Sequence, residues 1–199
     1  MHPDKAAERV LVIPAAQLPD LASYREFRSA QQVPDRRLFD PTHYEFRPRG
    51  EVESDPTYLQ LIPYVVLTCG EEVFHYVRRG GSETRLDARR SIGIGGHINS
   101  EDATGSDIYR SGMMREVREE IELYSPYAES WFGVIYDDST EVGRVHLGVV
   151  HWWRLEEPLA FARESTITDA AFTNIRVLRR ERSEFETWSQ WVLDALVLG

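Results

Sequence analysis

Hydrophobic positions along the chain repeat with two periods, and the period changes where the element changes. Between residues 107 and 122, Tyr109, Met113, Val117 and Ile121 recur at steps of four, a single stripe on an α-helix. Ser106 is its expected N-cap, with Asp107 favourable in the first turn, and Tyr124-Ser125-Pro126 is the expected stop. Residues 58–67, Tyr-Leu-Gln-Leu-Ile-Pro-Tyr-Val-Val-Leu, are rich in β-formers. Pro63 within them predicts an edge or a bulge, because proline offers no N–H to a sheet. Gly70-Glu71-Glu72 reads as a turn, and the alternation over residues 73–78 closes a hairpin with His75 turned outward. Residues 92–98 lead into a glycine turn at Gly93, Gly95 and Gly96, where the backbone can take positive φ. Residues 131–136 and 144–153 read as a second pair of strands around the polar stretch 137–143. Alternation in the later strand sets Val145, Leu147 and Val149 against His146, Gly148 and Val150, so His146 and His151 point to opposite faces.

The flanks are less regular. Residues 9–13 predict a short strand closed by Pro14, and Leu21, Tyr24 and Phe27 at three-residue steps predict a helix within 18–32. Residues 33–56, rich in Pro, Arg and Asp, read as a surface loop that Phe39, Tyr44 and Phe46 could pin down. A last strand is expected within 170–178. A helix is expected over 179–198, with Phe185, Trp188, Val192, Ala195 and Leu196 as its apolar stripe. The order strand, hairpin, glycine turn, helix, strand pair, helix predicts an α+β fold with a mixed β-sheet between helices. Residues 1–57 then form an N-terminal extension packing on the domain or on a partner subunit, and 58–199 the domain itself.

Composition narrows the function. The 199 residues carry 23 basic and 33 acidic side chains, a net charge of −10, which repels a nucleic acid polymer but not a small phosphorylated ligand at a local site. Cys69 is the single cysteine, expected as a small buried hydrophobe, so no internal disulfide or cysteine metal cluster forms. No apolar run approaches the roughly 18 residues of a membrane span, and the first residues lack the apolar core of a signal peptide. A cytoplasmic protein is expected, with a homodimer through the aromatic residues of the extension and the Trp-bearing last helix.

Charge on the acidic helix carries the chemistry. Glu116, Glu119 and Glu120 stand at i, i+3 and i+4, where like charges repel by about 0.2–0.5 kcal/mol per pair. A solvated acidic face is one reading. A site for a hard divalent cation is the other, since coordination by carboxylate oxygen turns that repulsion into binding. Arg115, at i−4 to Glu119, can orient its carboxylate. Arg85, Arg89 and Arg90 form either a solvated basic stretch or charge for a phosphate. His97 follows the glycine turn within reach of a ligand, and Trp152 and Trp153 fit core packing better than base stacking.

An apolar strand, a Gly-Gly turn and a helix bearing Arg115, Glu116, Val117, Glu119, Glu120 and Leu123 together resemble the Nudix hydrolase family. Its signature is G-x5-E-x7-R-E-U-x-E-E-x-G-U, with U a bulky apolar residue. Counting back from Arg115, the early Glu position falls on Asp107, and Gly112 takes the small position before the Arg. Glu122 replaces the expected Gly, and ten residues separate Gly96 from Asp107 where the signature has five. The resemblance implies an α/β/α sandwich and Mg²⁺ (or Mn²⁺) held by Glu116, Glu119 and Glu120 with a backbone carbonyl from Gly95 or Gly96. It also implies in-line attack of an activated water on the phosphoanhydride of a nucleoside diphosphate derivative or a related small phosphorylated substrate. Glu119, Glu120 and Arg115 are the implied catalytic residues, and Glu164, Glu120 and Asp107 are alternatives for the base. Two other readings stay open. One is a non-catalytic nucleotide-binding or regulatory module on the same fold. The other is an isoprenoid diphosphate isomerase, which would need Cys69 as its catalytic cysteine.

Overall fold

Residues 10–13 and 59–67 are buried along their whole length, so these strands read as apolar runs, broken only by Gln60, rather than alternating ones. The structure, a computed structural model, describes residues 3–18, 24–33, 36–79, 89–103 and 105–198. In chain order its elements are α1 (Pro3–Ala7), β1 (Arg9–Pro14), β2 (Glu26–Ser29), β3 (Glu45–Pro48), α2 (Arg49–Val52), β4 (Tyr58–Cys69), β5 (Glu72–Arg78), β6 (Arg90–Ser91) and β7 (Gly93–Ile94). They continue with α3 (Ile108–Glu120), β8 (Ile121–Leu123), β9 (Tyr127–Tyr136), β10 (His146–Leu155), β11 (Ala160–Ala162), β12 (Ile167–Asn174), α4 (Ile175–Arg180) and α5 (Thr187–Ala195). This is the expected α+β fold, a mixed sheet with few helices, antiparallel in its main pairings and with parallel bridges such as Arg25↔Tyr136. None of the described helices is long and apolar enough to cross a membrane.

The chain divides into two compact units. The first holds Met1–Pro63, Gly95–Glu116 and Phe132–Val150; the second holds Tyr64–Ile94, Val117–Trp131 and His151–Gly199. In the first, β1 pairs antiparallel with β3, from Arg9↔Pro48 to Val12↔Glu45, and with the start of β4, from Val12↔Gln60 to Pro14↔Tyr58. The helix expected within 18–32 is not formed in its described part: Glu26–Ser29 is β2, paired with the end of β9. The ladder offered by β9 and the packing of Phe27 on Phe132, ring centroids 4.9 Å apart, override the local three-residue spacing. That approach is close enough that a Cβ on Gly133 would stand 2.0 Å from the Arg28 carbonyl oxygen. The loop expected over 33–56 likewise contains β3 and α2, with Val33, Leu38 and Val52 buried.

In the second unit, β4 and β5 form the expected hairpin, Thr68↔Val73 and Cys69↔Glu72, around Gly70 at φ 56°. β12 pairs along β5 from Ile167↔Arg78 to Asn174↔Glu72. This pairing corrects the outward placing of His75, which is buried and bonded through Nε2 to Thr173 Oγ1 at 2.9 Å. Pro63 lies between two ladders on β4, that of β1 at residues 58–60 and that of β7 at 65–66, so its missing N–H interrupts neither. The C-terminal helix is shorter than its stripe suggested. α4 ends at Arg180, Phe185 is buried in the connection, and Glu186 caps α5 by accepting from the Trp188 and Ser189 N–H groups.

Candidate active site

α3 begins one residue later than expected, and its cap is Asp107, whose Oδ1 accepts the Arg110 N–H at 2.9 Å. Gly112 lets the helix close on the preceding loop, because a Cβ there would stand 2.6 Å from Ile98 Cγ2. One turn further, Arg115 makes four hydrogen bonds to three partners. Its Nε and Nη2 donate to Asp102 Oδ1 and Oδ2 at 2.8 and 3.0 Å, Nη2 donates to the His97 carbonyl at 2.9 Å, and Nη1 donates to Glu116 Oε1 at 2.7 Å. Asp102 is buried and also accepts the Asn99 N–H at 2.8 Å. The Asp102 bond raises the guanidinium pKa further above its ordinary value, and burial opposes it less. Glu116, oriented by Arg115, lies against the glycine turn: a Cβ on Gly96 would stand 2.5 Å from Glu116 Oε2. Gly95, at φ 145°, takes a backbone conformation that favours glycine.

The last turn of α3 belongs to the second unit. Glu120 is buried, and its Oε1 accepts from Arg78 Nη2 at 2.5 Å. Arg78 also donates to Tyr76 Oη at 3.2 Å, and Tyr76 donates to the Gly93 carbonyl at 2.6 Å. Burial raises the Tyr76 pKa, with Glu120 adding to it, which keeps the phenol protonated as a donor. Burial alone would lower the Arg78 pKa, but Tyr76 and Glu120 raise it on balance. Glu119 is exposed, as is Arg118. The Glu120 carbonyl accepts the backbone N–H groups of Arg163 at 2.9 Å and Glu164 at 3.2 Å, so Glu164 is tied to the end of the helix. Asp107 caps the opposite end. Glu122 is extended in β8, opposite Phe161 of β11, where no glycine is required.

Gly96 and Glu116 make a cradle that a Cβ would fill, and its donors are the hard oxygens a divalent Mg²⁺ or Mn²⁺ prefers, so these residues fit such an ion. Among the described residues, no three His, Cys, Asp or Glu side chains are already gathered for a metal. Arg78 occupies Glu120 instead, and Arg115 occupies Glu116.

Other candidates have structural partners. Arg85 lies outside the described residues. Arg89 donates to the Ser183 carbonyl, and Arg90 pairs with Glu181 at 2.5 Å and Glu184 at 3.1 Å above the Phe185 ring. Trp153 is buried and stacked on Tyr127 at 4.2 Å, and Trp152 donates to Thr68 Oγ1. Cys69 is half-buried at the end of β4 rather than in the core, its Sγ 3.7 Å from the Glu156 carbonyl oxygen. His97 is bonded to Gln60 and His146.

No family model matches the chain. Over 156 residues it is 33% identical to Protein YmaB of Bacillus subtilis (strain 168), covering 74% of this chain and 76% of that protein. It superposes on the crystal structure of Tm1382, assigned to the Nudix hydrolases, with a TM-score of 0.75 and 28% identity, over 94% of this chain and 97% of that one. The chain belongs to the Nudix hydrolase family. The Nudix domain of Shewanella oneidensis NrtR, crystallised with ADP ribose, shares the fold at a TM-score of 0.54 and 10% identity, over 68% of this chain and 84% of that one.

On this Nudix chain the signature can also be counted forward. Six residues after Gly96, the G-x5-E spacing falls on Asp102, the residue bound to Arg115, whereas counting back from Arg115 reached the helix cap Asp107. The five extra residues then lie between Asp102 and Arg115, where residues 103–114 replace the seven of the signature. Asp102 is the candidate site residue that sequence reasoning missed, and its distance from the glycine turn was the available signal.

Proposed function

We propose that this Nudix protein is a divalent-metal-dependent hydrolase that cleaves a phosphoanhydride bond in a nucleoside diphosphate derivative or a related small phosphorylated substrate. The observation that carries this reading is the Gly96–Glu116 cradle beside an arginine held in place by buried Asp102, on the same helix as Glu119 and Glu120. Glu116, Glu119 and Glu120 would hold Mg²⁺ or Mn²⁺ with the Gly96 carbonyl. Such an ion, when bound, neutralises charge on phosphate oxygens and acidifies water for in-line attack. Arg115 fixes the Glu116 carboxylate in advance, which limits reorganisation when a cation arrives. Glu164 is the proposed base, because its backbone is tied to the end of α3 beside Glu120. The nucleotide class is supported by the ADP ribose bound to the NrtR domain.

A non-catalytic nucleotide-binding module is the second reading, and the burial of Glu120 under Arg78 favours it. A screen of nucleoside diphosphate sugars, dinucleoside polyphosphates, NAD-type dinucleotides and nucleoside triphosphates with Mg²⁺ separates the two. Phosphorylated products are expected, and ligand binding without product under every condition would favour the module.

A further inference from the structure

The geometry points to His97 as a positioning residue for the cation-binding oxygens, locked in place by Gln60 and His146. The inference rests on the metal-dependent reading above and goes beyond it, since the Nudix signature gives this position no role. His97 directly follows Gly96. Its carbonyl accepts from Arg115 Nη2 at 2.9 Å, and the same guanidinium donates to Glu116 at 2.7 Å. The backbone that carries Gly96 and the side chain of Glu116 are therefore fixed through one arginine.

The His97 ring anchors the turn from the other side. Its Nε2 lies 2.9 Å from Gln60 Oε1 and 3.3 Å from His146 Nε2, and His146 Nδ1 lies 2.7 Å from the Val142 carbonyl oxygen. A carbonyl only accepts, so the proton of neutral His146 is on Nδ1 and its Nε2 offers a lone pair. His97 Nε2 must then carry the proton shared between His146 and Gln60. That tautomer also sets the amide of Gln60 with Oε1 toward the ring. Gln60 is fully buried on β4, and its Nε2 has no hydrogen-bond partner among the described residues. An apolar residue would suit this buried strand better, since an unpaired buried amide lowers stability. The carboxamide is explained if its oxygen is needed to hold His97. Asp102 and the Gln60–His97–His146 group thus brace the same glycine turn through Arg115 and through the imidazole.

Gln60→Leu tests the proposal without altering the turn or any proposed ligand. Mn²⁺ affinity, read by electron paramagnetic resonance, should fall by about 10–100-fold, the range seen when a partner behind a metal ligand is lost. The unfolding midpoint should hold or rise, because the unpaired amide is gone. His97→Phe should show the same loss of affinity, and His97→Gln, which keeps an N–H donor, should recover part of it. If His97→Phe fails to fold, Gln60→Leu carries the test alone. Wild-type Mn²⁺ affinity in Gln60→Leu overturns the proposal, as does a loss of affinity that merely follows a lowered midpoint. Wild-type protein and Glu116→Gln serve as controls. If the wild type binds no Mn²⁺, or Glu116→Gln binds it unchanged, the metal reading fails and takes this inference with it. If Glu116→Gln loses the ion and Gln60→Leu does not, only this inference fails.

Discussion

Replacing Asp102 by Asn perturbs the hydrogen-bond cluster around Arg115 with almost no change of shape. The buried carboxylate accepts two bonds from Arg115 and one from the Asn99 N–H. Hydrogen bonds to charged groups contribute about 1.5–3 kcal/mol each, and removing one partner of a buried ion pair costs about 3–5 kcal/mol. Two facts reduce the figure here. Asn keeps an acceptor for the Asn99 N–H, and the Arg115 side chain is 28% exposed, so water recovers part of its solvation. The expected loss is about 3 kcal/mol, or a fall of roughly 6–12 °C in melting temperature for a chain of this size. Urea titrations of Asp102→Asn, Arg115→Met and the double variant at pH 7 give the loss and the coupling. The double variant should lose less than the sum of the two single variants, because the second change finds its partner already gone. A loss below about 0.5 kcal/mol in Asp102→Asn, the size of an ordinary surface change, would refute the clamp.

Gly96→Ala sets a Cβ 2.5 Å from Glu116 Oε2, which must give way against its bond to Arg115, so it should cost about 1–3 kcal/mol and weaken Mn²⁺ binding by about tenfold in a paramagnetic resonance titration. Arg78→Met strands buried Glu120 without its cation and should lower stability by about 3–5 kcal/mol; thermal melts should show Mg²⁺ restoring part of it, and no restoration would count against Glu120 as a ligand. His75 titrates at about 4 in the folded protein, against an ordinary 6.5, because burial and then Arg90 disfavour its charged form. The unfolded chain therefore takes up this proton first as pH falls. The His75 contribution is intact above pH 6.5 and declines between 6.5 and about 4, by about 2 kcal/mol at pH 5, and His75→Phe should flatten that slope in urea titrations at pH 7 and pH 5.

The parts of the fold that could be read from sequence were those in which burial follows a simple period. The stripe of Tyr109, Met113 and Val117 became the buried side of α3, while Ile121, expected on the same helix, is buried in β8 just beyond its end; the run after Tyr58 became β4. β2 was not legible, because Glu26–Ser29 is a strand only through its ladder to β9, more than a hundred residues away. His75 was misplaced for a similar reason: an alternating strand looks half-solvated until β12 covers it. In the site, Glu116 and Gly96 could be named from their motif and do meet. Asp102 could not be chosen over Asp107 by counting from one end, since an insertion shifts every position beyond it. The Arg78–Glu120 pair joins a strand to a helix 42 residues later, and no local pattern announces it.

Metal-dependent cleavage of a phosphoanhydride on the acidic helix is tested most directly by Mg²⁺-dependent turnover of wild type against Glu120→Gln. The substrate is whichever diphosphate in the screen the wild type hydrolyses. Gln preserves the length and helix propensity of Glu while removing the charge that would hold the ion. Wild type should release phosphorylated products only with the divalent ion present, and Glu120→Gln should be slower by about 10²-fold or more while remaining folded. Turnover in Glu120→Gln equal to wild type, or wild-type turnover unchanged by chelation of the metal, would contradict the account.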